Sequence, residues 1–61
     1  MNYNNVTLKR HPAIFRNGAL AESYAQRNIK PRRVVLGNAG EYLVVTNGDA
    51  MRLVRAGYEL I

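Results

Sequence analysis

Residues 33–46, RVVLGNAGEYLVVT, hold two apolar runs separated by the cluster Gly37-Asn38-Ala39-Gly40. Arg33–Leu36 and Tyr42–Thr46 are rich in the β-branched and aromatic residues that suit strands. The glycines between them supply the positive-φ positions that a short loop requires. The stretch therefore reads as an antiparallel hairpin, with strands at about 32–37 and 41–46. Pro31 falls just before the first strand, where its missing donor does little harm.

Side chains alternate across a strand, and here the alternation is informative. Val35 opposes Val34 and Leu36, while Leu43 and Val45 oppose Tyr42 and Val44. Both faces of the hairpin are apolar, the pattern of strands covered on two sides. Two short helices offer little cover for both faces in a chain of 61 residues. One face is therefore expected to meet a second copy, as a homodimer, or another protein partner. The alternative sets one helix on each face of a monomer.

Downstream of the hairpin the period changes. Thr46 or Asn47 can cap a helix, and Asp49 in its first turn answers the helix dipole. Ala50, Leu53, Val54 and Gly57 then recur at i, i+3, i+4 and i+7, which predicts a helix over about 48–56. Gly57 suits the residue after the C-cap, and Tyr58–Ile61 reads as a short terminal strand over 58–61.

Upstream the signals are weaker. Val6 and Leu8 alternate with Thr7 and Lys9, predicting a strand over 5–9 that Pro12 ends. Ala13-Ile14-Phe15 is apolar but too short to type by period, so 10–18 receives no assignment. Asn17-Gly18 is read as a helix start rather than a hairpin turn, because Ala19–Gln26 makes a poor strand. Leu20 and Tyr24 lie at i, i+4, and the helix is expected over 18–28, ended by Asn28 ahead of Lys30-Pro31. The fold class is a small, single-domain α+β fold spanning 1–61.

Composition narrows function. With 61 residues and no cysteine, neither a disulfide nor a thiolate metal site is open to the chain, and one histidine excludes a Cys/His zinc site. The longest uninterrupted apolar run is Tyr42–Val45, far below the ~20 residues of a spanning helix. The first residues, MNYNNVTLKRHP, lack the apolar core of a signal peptide, so a cytoplasmic protein without membrane association is expected.

Catalytic arrangements are missing. Glu22, Glu41, Asp49 and Glu59 are scattered, with no close sequence pair for acid–base chemistry. Ser23 lies inside the expected first helix, away from any nucleophile elbow. His11, between Arg10 and Pro12, fits a solvated loop. Gly37–Gly40 resembles a phosphate cradle only superficially: it lacks a following Lys-Ser/Thr and opens a strand rather than a helix. The expectation is a non-enzyme with no catalytic residue, cofactor, metal or small-molecule substrate.

Charge carries the remaining signal. The chain is +5 overall, and residues 1–33 hold seven of the nine cations against Glu22 alone, a net +6. Residues 34–61 hold Arg52 and Arg55 against Glu41, Asp49 and Glu59, a net −1. Net charge also serves solubility, but this asymmetry favours an acidic partner. Two sequence clusters form the candidate site: Lys9 and Arg10 with Arg16, and Arg27, Lys30, Arg32 and Arg33. Arginine's planar fork suits phosphate, so DNA or RNA is the expected partner. Tyr3, Tyr24 and Tyr42 offer stacking surfaces, although packing is their commoner use. Arg52 has a local partner in Asp49, three residues earlier. The alternative function is a protein-interaction module, a small regulator or inhibitor of the kind phages and mobile elements carry. It would dock through the apolar hairpin and steer with its arginines.

Overall fold

The computed structural model describes residues 2–27 and 30–61. In chain order the elements are β1 (Asn2–Tyr3), β2 (Val6–Thr7), β3 (Ala13–Phe15), α1 (Gly18–Arg27), β4 (Arg33–Leu36), β5 (Tyr42–Val45), α2 (Asn47–Arg55) and β6 (Glu59–Leu60). The expected hairpin is β4–β5, paired from Arg33↔Val45 to Leu36↔Tyr42, and it forms the middle of a four-stranded sheet ordered β3-β5-β4-β6. Every pairing in that sheet is antiparallel. The fold is α+β.

The edge strands come from the chain on either side. β6 pairs with β4 through Val35↔Leu60 and Leu36↔Glu59, and the Ile61 N–H donates to the Val34 carbonyl at 2.9 Å. The triplet that could not be typed from sequence is β3, held against β5 by Ala13↔Val44, Ile14↔Leu43 and Phe15↔Tyr42. The strand expected over 5–9 is shorter and begins later. Asn4 and Asn5, at φ 45° and 71°, instead form the two-residue turn of a separate β1–β2 hairpin. Asparagine is among the few non-glycine residues that tolerate this left-handed region. Leu8 then leaves the strand and enters the core at 1% exposure.

Helix ends follow local hydrogen bonding. Asn17 Oδ1 accepts from the Ala19 and Leu20 amides at 2.8 and 3.2 Å, so Asn17-Gly18 starts α1 rather than a hairpin. The expected end of that helix at Asn28 lies outside the described residues. Thr46 caps α2, its Oγ1 accepting from the Asp49 amide at 3.3 Å. At the other end Tyr58 N–H donates to the Leu53 carbonyl and Gly57 N–H to the Val54 carbonyl, both at 3.0 Å. This Schellman pair requires the left-handed residue that Gly57 supplies at φ 102°.

Topology decides where the helices go. β3 is parallel to β4 with β5 between them, and β5 is parallel to β6 with β4 between them. Each parallel pair is joined through one helix, and both crossovers step the same way across the sheet. Such crossovers share one hand. The second starts from a strand running opposite to the first, so equal handedness puts its helix on the opposite face.

That arrangement is observed. On one face Ala21 and Ala25 of α1 pack with Val34 and Val44, flanked by Ala13, Phe15 and Tyr42. On the other, Ala50 and Leu53 of α2 pack with Val35, Leu43, Val45 and Leu8, flanked by Tyr3, Val6 and Tyr58. The argument for a homodimer or other protein partner rested on a sheet face left bare, and the chain itself covers most of both faces; Ile14, on the α2 side of β3, stays 55% exposed. The lengths explain why two short helices suffice. Four-residue strands are about 13 Å long, and helices of nine or ten residues about 14–15 Å. Among the described residues no helix is long and apolar enough to cross a membrane.

Both faces are therefore core, and two conservative substitutions test this separately. Val35→Thr and Val44→Thr each bury a hydroxyl, on opposite faces, in a residue that keeps strand propensity. Each is expected to lower unfolding free energy by about 1–3 kcal/mol in urea denaturation. A neutral result at either position would show that its face is not packed.

Candidate nucleic-acid interface

Sheet register determines which cations meet. Ala13 pairs with Val44, and Arg33 with Val45. The residues before β3, before β4 and after β5 therefore share one end of the sheet. α1 starts beside the Tyr42 ring, which a Cβ on Gly18 would approach to 3.3 Å, and runs back toward that same end. There the Arg32 amide donates to the Ala25 carbonyl at 3.1 Å, pinning the returning segment to the helix. Lys9, Arg10, Arg27, Lys30, Arg32 and Arg33 thus lie on segments that gather at one end.

Arg16 does not join them. It follows Phe15, whose partner Tyr42 marks the opposite end of the sheet. There it lies near Glu41 and is the least of the influences that keep the Glu41 carboxyl below its ordinary range.

Two hollows are cut into the basic end. One, of about 430 Å³, is lined by Arg10, Lys30, Pro31 and Arg32 together with Thr46, Asn47 and Gly48 at the start of α2. The other, of about 310 Å³, is lined by His11, Ala13, Tyr24 and Val44, again with Arg10 and Arg32. The two arginines border both hollows. They come from segments more than twenty residues apart in sequence.

A buried carboxylate holds this end together. Asp49, on the first turn of α2, is 0% exposed. The Lys9 amide donates to its Oδ1 at 2.9 Å and its Oδ2 at 3.1 Å, and the Arg10 amide donates to Oδ2 at 3.1 Å. Arg52 Nη1 donates to Oδ1 at 3.1 Å. Burial by itself would raise the Asp49 carboxyl; the Lys9 and Arg10 amides and the Arg52 charge outweigh it and hold the group below its ordinary value. The backbone of the basic arm is thereby fixed while the Lys9 and Arg10 side chains stay exposed.

Sequence reasoning assigned Asp49 to the helix dipole and to Arg52, and missed its hold on the arm. The available signal was position: Asp49, Ala50 and Leu53 share the buried side of α2. A carboxylate there must be satisfied by something.

The glycine loop is occupied from within. The Ala39 amide donates to Glu41 Oε1 at 2.8 Å, and the Asn38 amide to Tyr3 Oη at 3.1 Å. The Tyr3 hydroxyl in turn donates to Glu41 Oε2 at 2.8 Å. That bond, foremost, lowers the Glu41 pKa, while burial, foremost, raises that of Tyr3. A Cβ on Gly37 would lie 2.5 Å from Glu41 Cδ and 2.7 Å from Tyr3 Oη, so glycine here admits the close approach of that network. The Gly37, Asn38 and Ala39 amides serve the Glu41 carbonyl, the Tyr3 hydroxyl and the Glu41 carboxylate in turn, groups of the chain's own.

The tyrosines divide accordingly. Tyr3 packs edge-on against Tyr58, centroids 5.6 Å apart, and Tyr42 packs beneath α1. Tyr24 borders the basic end; it is held against Phe15 at 5.3 Å and remains 42% exposed. Among the described residues no group of three or more His, Cys, Asp or Glu side chains is placed to hold a metal ion. Comparison with protein-family models, curated proteins and solved structures finds no match for this chain.

The carboxylate anchor makes a linked prediction for stability and pH. Asp49→Asn, which removes the charge and an acceptor, should cost about 2–3 kcal/mol at neutral pH. Because the folded-state pKa is depressed, the unfolded chain binds the proton first as pH falls. The stabilisation from Asp49 is present above its unfolded pKa of about 3.9 and is lost as pH falls through the folded value. Urea denaturation between neutral and acid pH should show wild-type stability declining into that range more steeply than the variant's. Parallel profiles would remove Asp49 as the anchor.

Proposed function

We propose that this chain is a small, non-enzymatic binding protein that docks nucleic-acid phosphates on the basic end of its sheet. The observation that carries the reading is the convergence of Arg10, Lys30 and Arg32, from two distant segments, on one hollow. Lys9, Arg27 and Arg33 supplement them from neighbouring segments. Arginine forks make paired hydrogen bonds to phosphate oxygens, and neutralising phosphates releases condensed counterions. Contacts of this kind position a protein on a polymer without reading its sequence, so the reading claims DNA or RNA affinity and no base preference. A cytoplasmic setting, where such polymers abound, accompanies it. The reading needs no second subunit. The competing docking mode, through the apolar hairpin, gains no support, because that hairpin lies between α1 and α2.

The geometry also provides an internal control. Fluorescence anisotropy with labelled DNA and RNA, at about 50 and 200 mM salt, should show affinity falling steeply as salt rises. Arg10→Ala with Arg32→Ala should weaken binding and flatten the slope of log K against log salt by about 2 units. Arg16→Ala, at the opposite end, should leave both unchanged. No binding to either polymer at the lower salt, or an equal loss from Arg16→Ala, would overturn the proposal.

A further inference from the structure

We infer that the nucleic acid taken by this surface is single-stranded, with an unpaired base lodged against Tyr24 and its adjoining phosphate held by Arg10 and Arg32. The inference rests on the phosphate-docking reading and deepens it. Its ground is the contrast between the two adjoining hollows. The larger is cationic, bounded by Lys30, Pro31, Thr46, Asn47 and Gly48, with polar and apolar surface in nearly equal share. The smaller is lined by Ala13, Val44, Tyr24 and His11. Only Arg10 and Arg32 are common to both.

A polynucleotide alternates charge and aromatic plane at each nucleotide, and so do these hollows. A duplex turns its phosphates outward and stacks its bases within, so a docking surface for duplex needs cations and gains nothing from an apolar slot beside them. An unpaired strand offers base faces, and stacking on aromatic side chains is how such strands are gripped without sequence preference. Tyr24 suits that task. Its ring is held against Phe15, so little rotamer freedom remains to be lost on binding, yet 42% of the residue is exposed. The guanidinium planes of Arg10 and Arg32 can stack on a base as well as fork a phosphate, which fits their place at the junction.

The test compares labelled single strands of about twelve nucleotides, DNA and RNA, with duplex of equal length at about 50 mM salt. Tyr24→Leu keeps an apolar side chain against Phe15 and removes the aromatic plane; Tyr24→Phe keeps the plane. Single strand should bind more tightly than duplex. Tyr24→Leu should lower single-strand affinity about fivefold or more and leave duplex affinity unchanged, while Tyr24→Phe should resemble wild type. Arg32→Ala should weaken both ligands. Circular dichroism confirms the fold of each variant, and the wild-type preference is decisive even if Tyr24→Leu does not fold.

Duplex bound as tightly as single strand, or Tyr24→Leu without effect on single strand, overturns this inference and leaves phosphate docking standing. A mononucleotide competing at the same concentration as the strand also overturns it, by making a free nucleotide the ligand. Absence of binding to either polymer overturns the phosphate-docking reading itself, and this inference with it.

Discussion

A carboxylate removed from water must find compensation nearby, and Asp49 finds it in three directions at once. Its own helix supplies Arg52, and the arm ahead of β3 supplies the amides of Lys9 and Arg10. The β1–β2 hairpin of that arm has two residues per strand, too few to hold its place unaided. Leu8, adjacent to the Asp49 contacts, enters the core under α2, so burial and hydrogen bonding reinforce each other across consecutive residues. Truncating Asp49 would orphan two backbone donors as well as Arg52. That asymmetry makes Asp49 the anchor at the Lys9–Arg10 end of the arm, as Tyr3 is at the other.

The sheet imposes the second constraint. With one helix on each face, most of both faces is spent on the core, and beyond exposed Ile14 on β3 the free surface lies at the strand ends and the outer sides of the helices. Binding groups then collect on segments at one end, positioned by a scaffold that need not move. The cost of gathering cations is moderated because Lys9, Arg10, Arg27, Lys30 and Arg33 are exposed, where solvent and salt screen their repulsion. The carboxylate nearest the glycine loop, Glu41, is bound to Tyr3 at the far end and does not neutralise them. The charge asymmetry visible along the sequence thus becomes an asymmetry in space.

Elements with a local cause were legible before the fold. The β4–β5 hairpin follows from alternation and two glycines, α2 from its cap and apolar stripe, and the end of α2 from Gly57. β3 was not legible, because three apolar residues define no period and Ala13–Phe15 becomes a strand only by pairing with β5. The same strand explains why Arg16 lies apart from the other cations. Arg16 was grouped with Lys9 and Arg10 by nearness in sequence, but three extended residues span about 10 Å and carry it to the other end. Lys30 and Arg32, by contrast, meet Arg10 only through the register of two separate strand pairs, which no local pattern reveals. Cover for both sheet faces was underestimated because helix number was weighed without matching helix length to strands of four residues.

Asp49 also bears on how an acidic ligand is received. A negative charge beneath the proposed phosphate-docking surface would oppose binding if it were free to act. Here its oxygens are taken up by two amides and a guanidinium, and the charge is balanced by Arg52 on the same helix. What it presents to the surface is position rather than potential: it fixes the peptide groups of Lys9 and Arg10 and leaves their side chains outward. Acid would add positive charge to this end by protonating Asp49, yet it would weaken the acceptor that holds the arm. Local attraction for phosphate and the placement of Arg10 therefore respond to acid in opposite directions. Because Arg10 borders both hollows, loss of its placement would remove one of the two arginines they share even as net charge rises.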